Sequence, residues 1–245
     1  MIGSKRLVTI SCFHGEINGF HRTGRDALVA VDVIRATTTA VTAVALGRRC
    51  FPVPAIEAVA RVQARLDRPL LVGELGGHMP HGFDLTNSPA AIAKRNDVWR
   101  PMILLSTSGT RLVCAARGGV YLGCLRNQAA LVQYLTEHHD NVIIAGVGTR
   151  GEFREEDALC CAWIAAGLLD AGYNVADADT MDIINRWAAR PAQAFVGGKS
   201  TEYLRVTNQL DDLQFILDHV NDLDWVAYCA DEEVIRVPGG AGFSR

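Results

Sequence analysis

Short apolar runs alternate with longer stretches rich in Ala and Leu along most of the chain. The short runs are apolar at consecutive positions, which is typical of strands that are covered on both faces. They predict strands at Leu7–Phe13, Ala27–Ile34, Arg49–Val53, Leu70–Gly73, Met102–Thr107, Val120–Leu125, Val142–Val147, Trp225–Ala230 and Val234–Val237. The longer stretches predict helices at Thr37–Leu46, Ala55–Leu66, Ser88–Lys94, Gly109–Ala116, Gln128–Glu137, Glu155–Asp170, Met181–Ala189 and Asp211–His219. This alternation favours an α/β sandwich around a mainly parallel sheet.

The length and the polarity of the chain suggest how it is organised. At 245 residues it is within the range of a single large domain, and we expect residues 1–245 to form one. Residues 176–223 are more polar and helical in pattern, so we expect them to form an appended helical layer or a lid.

Composition excludes several classes of protein. The chain is 49% hydrophobic and 21% charged, as in globular proteins and unlike disordered ones. Its net charge of −3 argues against a nucleic-acid binder with a basic face. It has no apolar run of about 18 residues, which a membrane-spanning helix needs, and no signal-peptide pattern. Seven cysteines without a CxxC motif predict reduced thiols rather than a zinc site, so we expect a cytoplasmic protein.

The end of the second predicted strand carries charged and hydroxyl side chains. Asp32 and Arg35 are followed by Thr37 and Thr38, where a helix begins. A helix N-terminus offers free N–H groups and favours an anion. The alternative is that a Thr caps the helix while Asp32 makes a hydrogen bond at the edge of the core.

A second strand-to-helix junction is rich in hydroxyl groups. Ser106, Thr107, Ser108 and Thr110 surround Gly109. Capping requires one hydroxyl, so the others indicate a turn that wraps a phosphate or a carboxylate.

The turn Gly146–Gly151 matches the G-x-G-x-x-G pattern of dinucleotide-binding proteins. That function also requires an acid about 20 residues later, at the end of the next strand. The corresponding position, near Asp170, falls inside a predicted helix. We therefore favour a role in which Arg150 contacts an anion.

Several acids follow predicted strands and could meet at one edge of the sheet. Glu74 and Asp84 follow the fourth strand close to glycines, although both could be solvated loop acids. They could join Asp32 and either Glu156 or Asp157. Oxygen ligands completed by substrate phosphate suit Mg²⁺, so this set predicts a site for phosphoryl chemistry.

Taken together, these stretches resemble the 2-phosphosulfolactate phosphatase family (ComB-like). The resemblance is carried, in the family's order, by Asp32–Thr39, Gly73–Glu74, Gly82–Asp84, Asn87–Pro89, Ser106–Thr110, Gly148–Gly151 and Glu156–Asp157. It implies a three-layer α/β/α sandwich with a mixed sheet. It also implies a Mg²⁺-dependent phosphoric monoester hydrolase that converts 2-phospho-3-sulfolactate into sulfolactate and phosphate, a step toward coenzyme M.

Each candidate residue has an expected role, and Asp32, Ser106 and Gly148 are expected to border one cleft. The expected catalytic residues are Asp32, Arg35 and Arg150. The expected metal ligands are Asp32, Glu74, Asp84, Glu156 and Asp157. The expected substrate-binding residues are Thr37, Thr38, Ser106, Thr107, Ser108, Gly109, Thr110 and Gly151.

The expected partner is a small anionic phosphate ester, with no nucleic acid and no membrane. A homodimer is expected because closed two-fold dimers are the commonest oligomers. Two other functions remain open: a nucleotide-binding oxidoreductase that uses the Gly146–Gly151 turn, and an anion-binding module without turnover.

Overall fold

The computed structural model of the protein describes residues 5–11, 24–116, 118–148 and 154–238. Within these residues ten strands form one sheet: β1 (Leu7–Ser11), β2 (Asp26–Val31), β3 (Cys50–Val53), β4 (Leu70–Gly73), β5 (Met102–Leu105), β6 (Val120–Gly123), β7 (Asn141–Gly146), β8 (Asn174–Val175), β9 (Trp225–Ala230) and β10 (Glu233–Pro238). The same residues form nine α-helices and a 3-10 helix at Ala192–Phe195: α1 (Ala36–Ala45), α2 (Ile56–Gln63), α3 (Pro89–Ala93), α4 (Gly109–Ala115), α5 (Gln128–His138), α6 (Glu155–Asp170), α7 (Ala178–Trp187), α8 (Lys199–Val206) and α9 (Leu210–Asp218).

The sheet is mixed and mainly parallel. Its strand order is β4-β5-β3-β10-β9-β6-β2-β7-β1-β8. Six of the nine described strand pairings are parallel, and the three antiparallel ones all involve the β9–β10 hairpin. The predicted fold class is therefore confirmed.

Helices cover both faces of the sheet, which gives three layers. Along β2, Leu28 and Ala30 belong to one hydrophobic core, and Val29 and Val31 belong to another. The first core contains side chains of α1 and α4, and the second contains side chains of α5, α6 and α7. Because side chains alternate between the two faces of a strand, consecutive apolar residues of β2 are buried on both sides.

The sheet is strongly twisted and bent. Three antiparallel steps lie between β2 and β5, so these two strands run in opposite directions. In a flat sheet, five strand spacings of about 4.8 Å would separate them by about 24 Å. However, a methyl group on Gly109, just after β5, would lie 2.2 Å from Oδ2 of Asp32, just after β2. The twist therefore brings the carboxyl ends of two opposed sets of parallel strands together.

The stretch from residue 176 to 223 is helical, as its pattern predicts. Helix α7 begins three residues before the predicted start because Asp177 accepts a hydrogen bond from the Thr180 N–H at 2.7 Å and caps the helix. Helix α8 was not predicted, since its sequence is polar with few apolar positions.

The single-domain assignment and the possible lid stay predictions. None of the described helices has the length and hydropathy that a membrane crossing requires.

One testable consequence concerns Arg48, which lies between α1 and β3 and whose side chain is fully buried. Its guanidinium donates to the Asp97 carboxylate at 2.8 Å and to the carbonyls of Asp97 and Arg100. Arg48→Met removes these three hydrogen bonds; Asp97 keeps Arg95 and the Arg100 N–H as donors, whereas the Arg100 carbonyl loses the guanidinium. We therefore expect the free energy of unfolding to fall by about 1.5–3 kcal/mol.

Urea denaturation of Arg48→Met and of Arg49→Met measures this difference. Arg49 is the matched control because it forms an exposed ion pair with Glu233, which contributes at most about 1 kcal/mol. Equal losses in the two variants would contradict the assigned role of Arg48.

Candidate active site

A cavity of about 250 Å³ lies where the segments that follow β2, β4 and β5 meet. The charged groups that line it are two acids and three cations: Asp32, Glu74, Arg35, Arg154 and Lys199. Its polar lining includes Asn87, Thr107, Ser108, Ser200 and Tyr203. The cavity therefore combines residues from both halves of the sheet with residues from α8.

Asp32 is buried at the end of β2, with 8% of its surface exposed. Its Oδ1 accepts a hydrogen bond from the Ala36 N–H at 3.1 Å, at the start of α1. Burial, followed by the charge of Glu74, raises the pKa of Asp32 to about 6, although the Ala36 N–H and Arg35 oppose this shift. The carboxyl is therefore mostly ionised at pH 7, at a cost in folding free energy.

Glu74, just after β4, connects two loops of the cavity wall. Its Oε1 accepts from the Thr107 N–H at 2.7 Å, and its Oε2 accepts from the Thr107 hydroxyl and the Gly77 N–H, both at 2.8 Å. The Thr107 hydroxyl also accepts from the Gly76 N–H at 2.7 Å. Glu74 thus fixes the loop after β4 against the turn after β5.

Asp157, on the first turn of α6, connects two other strand ends. It is 3% exposed, and its Oδ1 accepts from the Val33 N–H at 2.8 Å. The Gly148 N–H also donates to this carboxyl, while burial and the charges of Glu156 and Asp32 raise its pKa well above the usual range. Together with the Asp32–Gly109 approach, this contact brings the junctions after β2, β5 and β7 close together, but neither Ser106 nor Gly148 lines the cavity.

Glu156 is buried beside Asp157, with 1% of its surface exposed. Burial is the main cause that raises the pKa of Glu156 to about 7; the charge of Asp32 adds to the shift, and a hydrogen bond from Ser200 opposes it. Oε2 of Glu156 has no hydrogen-bond partner among the described residues. Three buried carboxyls, Asp32, Glu156 and Asp157, thus interact at one place, and we call them the acid cluster.

Arg35 follows Asp32 closely and lines the cavity with 4% of its surface exposed. Its Nη1 donates to Oδ2 of Asp212 at 2.7 Å and also to Gln209. The positive charge of this buried guanidinium is therefore balanced by an acid on α9.

The threonines of the first junction form hydrogen bonds within the fold. The Thr37 hydroxyl lies 2.8 Å from the carbonyls of both Asp32 and Gly123, which share its one hydrogen as acceptors. The Thr38 hydroxyl donates to the Val33 carbonyl at 2.8 Å. Neither threonine caps α1, whose N-cap is Arg35 without a side-chain capping bond, so that part of the alternative is wrong, whereas Asp32 does make the local hydrogen bond it proposed. Neither threonine lines the cavity.

The second junction divides its hydroxyls between the turn and the cavity. Ser106 and Thr110 exchange hydrogen bonds, since each side-chain oxygen accepts from the other residue's N–H at 2.9 Å. Thr107 and Ser108 line the cavity, and Gly109 packs against Asp32. The structure therefore brings two of the four hydroxyls to the site.

Asp84 does not join the other acids. Its carboxylate accepts from the Leu71 N–H at 2.8 Å and lies 3.4 Å from Arg100, near the beginning of β4. After the loop, the segment at Leu85 lies beside β4 and runs parallel to it, as the bridge to Val72 shows, so Asp84 is beside the beginning of that strand. Asp84 is thereby carried away from the carboxyl end. Arg150 and Gly151 lie outside the described residues.

Several cavity residues were not identified from the sequence: Asn87, Arg154, Lys199, Ser200 and Tyr203. Asn87 precedes the Ser88 N-cap of α3, and Lys199 and Ser200 follow the pair Gly197–Gly198, which is the one local signal that a turn presents them. Tyr203 donates a hydrogen bond to the Gly77 carbonyl, a contact across 126 residues that no local pattern reveals.

The donor groups suit a loosely held magnesium ion better than an all-protein cage. Among the described residues, no three His, Cys, Asp or Glu side chains are placed to hold a metal. Mg²⁺ is usually bound by one or two carboxylates, retained waters and substrate phosphate. Two buried acceptors at this site, Oε2 of Glu156 and Oδ1 of Asn87, have no partner among the described residues. Together with the ionised Asp32, they fit such an ion.

Comparison with known proteins gives a consistent result. The family model for 2-phosphosulpholactate phosphatase matches residues 17–232. A probable 2-phosphosulfolactate phosphatase of Synechococcus sp. strain RCC307 is 31% identical over 86% of this chain and 87% of its own. One from Pseudothermotoga lettingae is 38% identical over 58% of this chain, a match that spans 62% of the relative, less than two thirds of its length. The chain therefore belongs to the 2-phosphosulpholactate phosphatase family, whose members are phosphoric monoester hydrolases.

Proposed function

We propose that this protein uses Mg²⁺ to hydrolyse the phosphate ester of a small 2-hydroxy acid. The proposed substrate is 2-phospho-3-sulfolactate, and the products are sulfolactate and phosphate. Family membership supports the reaction class, and the names of the relatives support the substrate. The observation that carries the proposal is the small cavity lined by two acids and three cations.

The cavity matches the charge and size of this substrate. Phosphate, carboxylate and sulfonate are all anions, and Arg35, Arg154 and Lys199 supply positive charge around them. A hydrogen bond to a charged group contributes about 1.5–3 kcal/mol. We assign the phosphate to the end with Asp32, Arg35 and Thr107, and the carboxylate and sulfonate to Arg154 and Lys199. A volume of about 250 Å³ suits such a small acid.

Mg²⁺ would be held by Asp32 with Glu74 or Glu156, and the Asn87 side-chain oxygen is a further ligand candidate. When bound, the ion offsets charge on the phosphate oxygens and lowers the pKa of a bound water. The chain's own groups bind and orient the ester: Arg35 and Ser108 contact phosphate oxygens. Asp32, ionised above about pH 6, either takes the proton of the water that attacks phosphorus or attacks phosphorus itself. In both cases the ester P–O bond breaks and the oxygen of the 2-hydroxy acid leaves with its electron pair and takes up a proton; in the second case water then hydrolyses the aspartyl phosphate.

Family membership favours this function over the two alternatives. An oxidoreductase would use the Gly146–Gly151 turn, of which residues 149–151 lie outside the described part. An anion-binding module would bind the ester without turnover. The homodimer, the cytoplasmic location and the role in coenzyme M biosynthesis belong to the same proposal as expectations.

The first test is phosphate release from 2-phospho-3-sulfolactate in chelator and after Mg²⁺ is restored. We expect activity to be lost in chelator and to return with Mg²⁺, because oxygen ligands dominate the site. Full activity in chelator would contradict the metal mechanism, and no phosphate release under either condition would favour the alternatives.

The second prediction concerns Asp32→Asn. This variant keeps an acceptor for the Ala36 N–H but removes the charge, so we expect kcat to fall at least about 100-fold while the circular dichroism spectrum is retained. Steady-state kinetics measures the loss. Turnover equal to that of the original protein would mean that Asp32 is only structural.

A separate prediction for Asp32→Asn concerns its free energy of unfolding in the presence of chelator. The fold raises the pKa of Asp32 from 3.8 to about 6, so ionisation of this carboxyl costs folding free energy as pH rises through 6. Asp32→Asn removes that cost. We expect its gain in unfolding free energy to be about 1 kcal/mol larger at pH 8 than at pH 5. Urea denaturation at both values measures it, and a gain that shrinks with rising pH would contradict the assigned shift.

A further prediction concerns Lys199→Ala. We expect KM for 2-phospho-3-sulfolactate to rise about 10-fold with little change in kcat, because the lost contact binds a group that does not react. Lys94→Ala is the control, since Lys94 pairs with Asp211 and does not line the cavity. An unchanged KM would remove Lys199 from the substrate site.

A further inference from the structure

Asp212, on the first turn of α9, connects three elements around the cavity. Its side chain is buried, with 1% of the residue exposed. Oδ2 accepts from Arg35 Nη1 at 2.7 Å, and Oδ1 accepts from the Ser88 hydroxyl and, at 3.2 Å, from the Ala90 N–H. One carboxylate therefore contacts both the residue before α1 and the beginning of α3.

The contact with Arg35 fixes the direction of a cavity side chain. The side chains of both residues are at most 3% exposed, so the ion pair is little screened by water. Among the described residues, the hydrogen bonds of the Arg35 guanidinium all go through Nη1, to Asp212 and Gln209. Its Nε–H and Nη2–H groups remain for an oxyanion in the cavity that Arg35 lines.

The contact with Ser88 fixes a second cavity residue. Ser88 caps α3, accepting from the Ala91 N–H at 3.0 Å, and it directly follows Asn87. The Asn87 carbonyl accepts from the Thr39 hydroxyl of α1 at 2.7 Å, and its side-chain Oδ1 is a buried acceptor without a partner among the described residues. A closed set of contacts thus joins α1, α3 and α9 behind the cavity wall.

We propose that Asp212 is a positioning residue for phosphate-ester hydrolysis, which holds Arg35 and Asn87 in the geometry that receives the substrate. A buried ion pair is weak evidence for a stabilising role, since apolar replacements of such pairs are often neutral for stability. The role of the Asp212 carboxylate is instead to orient two cavity side chains, those of Arg35 and Asn87. The inference rests on the proposed function and adds α9 to the active site.

The test compares Asp212→Asn with Asp211→Asn. The first variant keeps the shape of the side chain but loses the charge that orients Arg35. We expect kcat/KM to fall about 10–100-fold and the dissociation constant for inorganic phosphate, measured by calorimetry, to rise about 10-fold. Asp211 is the matched control, because it is adjacent, exposed and paired with Lys94, and its variant should change both values less than twofold.

A double-mutant cycle with Arg35→Gln separates positioning from a general loss of structure. If Asp212 acts through Arg35, Asp212→Asn should have little further effect in the Arg35→Gln background. Asp212→Glu keeps the charge, so it should retain more activity than Asp212→Asn, and it replaces that variant in the cycle if Asp212→Asn does not fold. Unchanged kcat/KM and phosphate affinity, or additive losses in the cycle, would overturn the proposal.

The phosphate titration keeps this test distinct from that of the proposed function. If the original protein releases no phosphate from the ester, the proposed function fails. The calorimetric comparison of Asp212→Asn with Asp211→Asn then still decides whether Asp212 orients an anion site.

Discussion

The close approach of Asp32 to Gly109 is the contact on which the rest of the site depends. The two residues follow strands that run in opposite directions in one sheet, and a side-chain methyl at Gly109 would lie 2.2 Å from the carboxylate and 2.7 Å from Ala36. Only a residue without Cβ allows this approach. Because of it, the loop with Thr107 and Ser108 lines the same cavity as Asp32 and Arg35.

The acid cluster is the second constraint, because burying three carboxyl groups together costs folding free energy that other groups of the fold must offset. Burial and mutual repulsion raise the pKa values of Asp32, Glu156 and Asp157, so the free protein carries an electrostatic penalty at neutral pH. Backbone N–H groups of Ala36, Val33 and Gly148 offset part of it. In the proposed function, a bound cation and the cationic side chains of the cavity offset more of it. Such a penalty in the free state is typical of functional sites.

The sequence predicts the fold class and the acids that local pattern places at strand ends. Asp32, Glu74 and the turn at Thr107 and Ser108 line one cavity because each closely follows a buried strand, and Asp157 approaches Asp32 from the first turn of α6. Asp84 lies elsewhere because the chain returns to the beginning of β4, where Asp84 accepts from the Leu71 N–H, and residue spacing does not reveal this path.

One physical reason explains why the sequence did not reveal the other residues of the site. Lys199 and Ser200 reach the cavity on α8, and Asp212 reaches Arg35 from α9 across 177 residues. None of these residues lies in a recognisable motif, and tertiary packing brings them to the site. The hydroxyls of Thr37 and Thr38 show the converse: a pattern that fits anion binding also fits local hydrogen bonds, and the structure uses it for the latter.

Gly109→Ala tests the central claim, that the approach of the two opposed strand ends forms the active site. The methyl group forces Asp32 and the start of α1 away from α4, so we predict a loss of at least about 10-fold in kcat/KM for phosphate release with the fold retained. Gly24→Ala is the control, since a methyl there meets nothing within 4 Å. Activity of Gly109→Ala equal to that of Gly24→Ala, in a folded protein, would contradict the account.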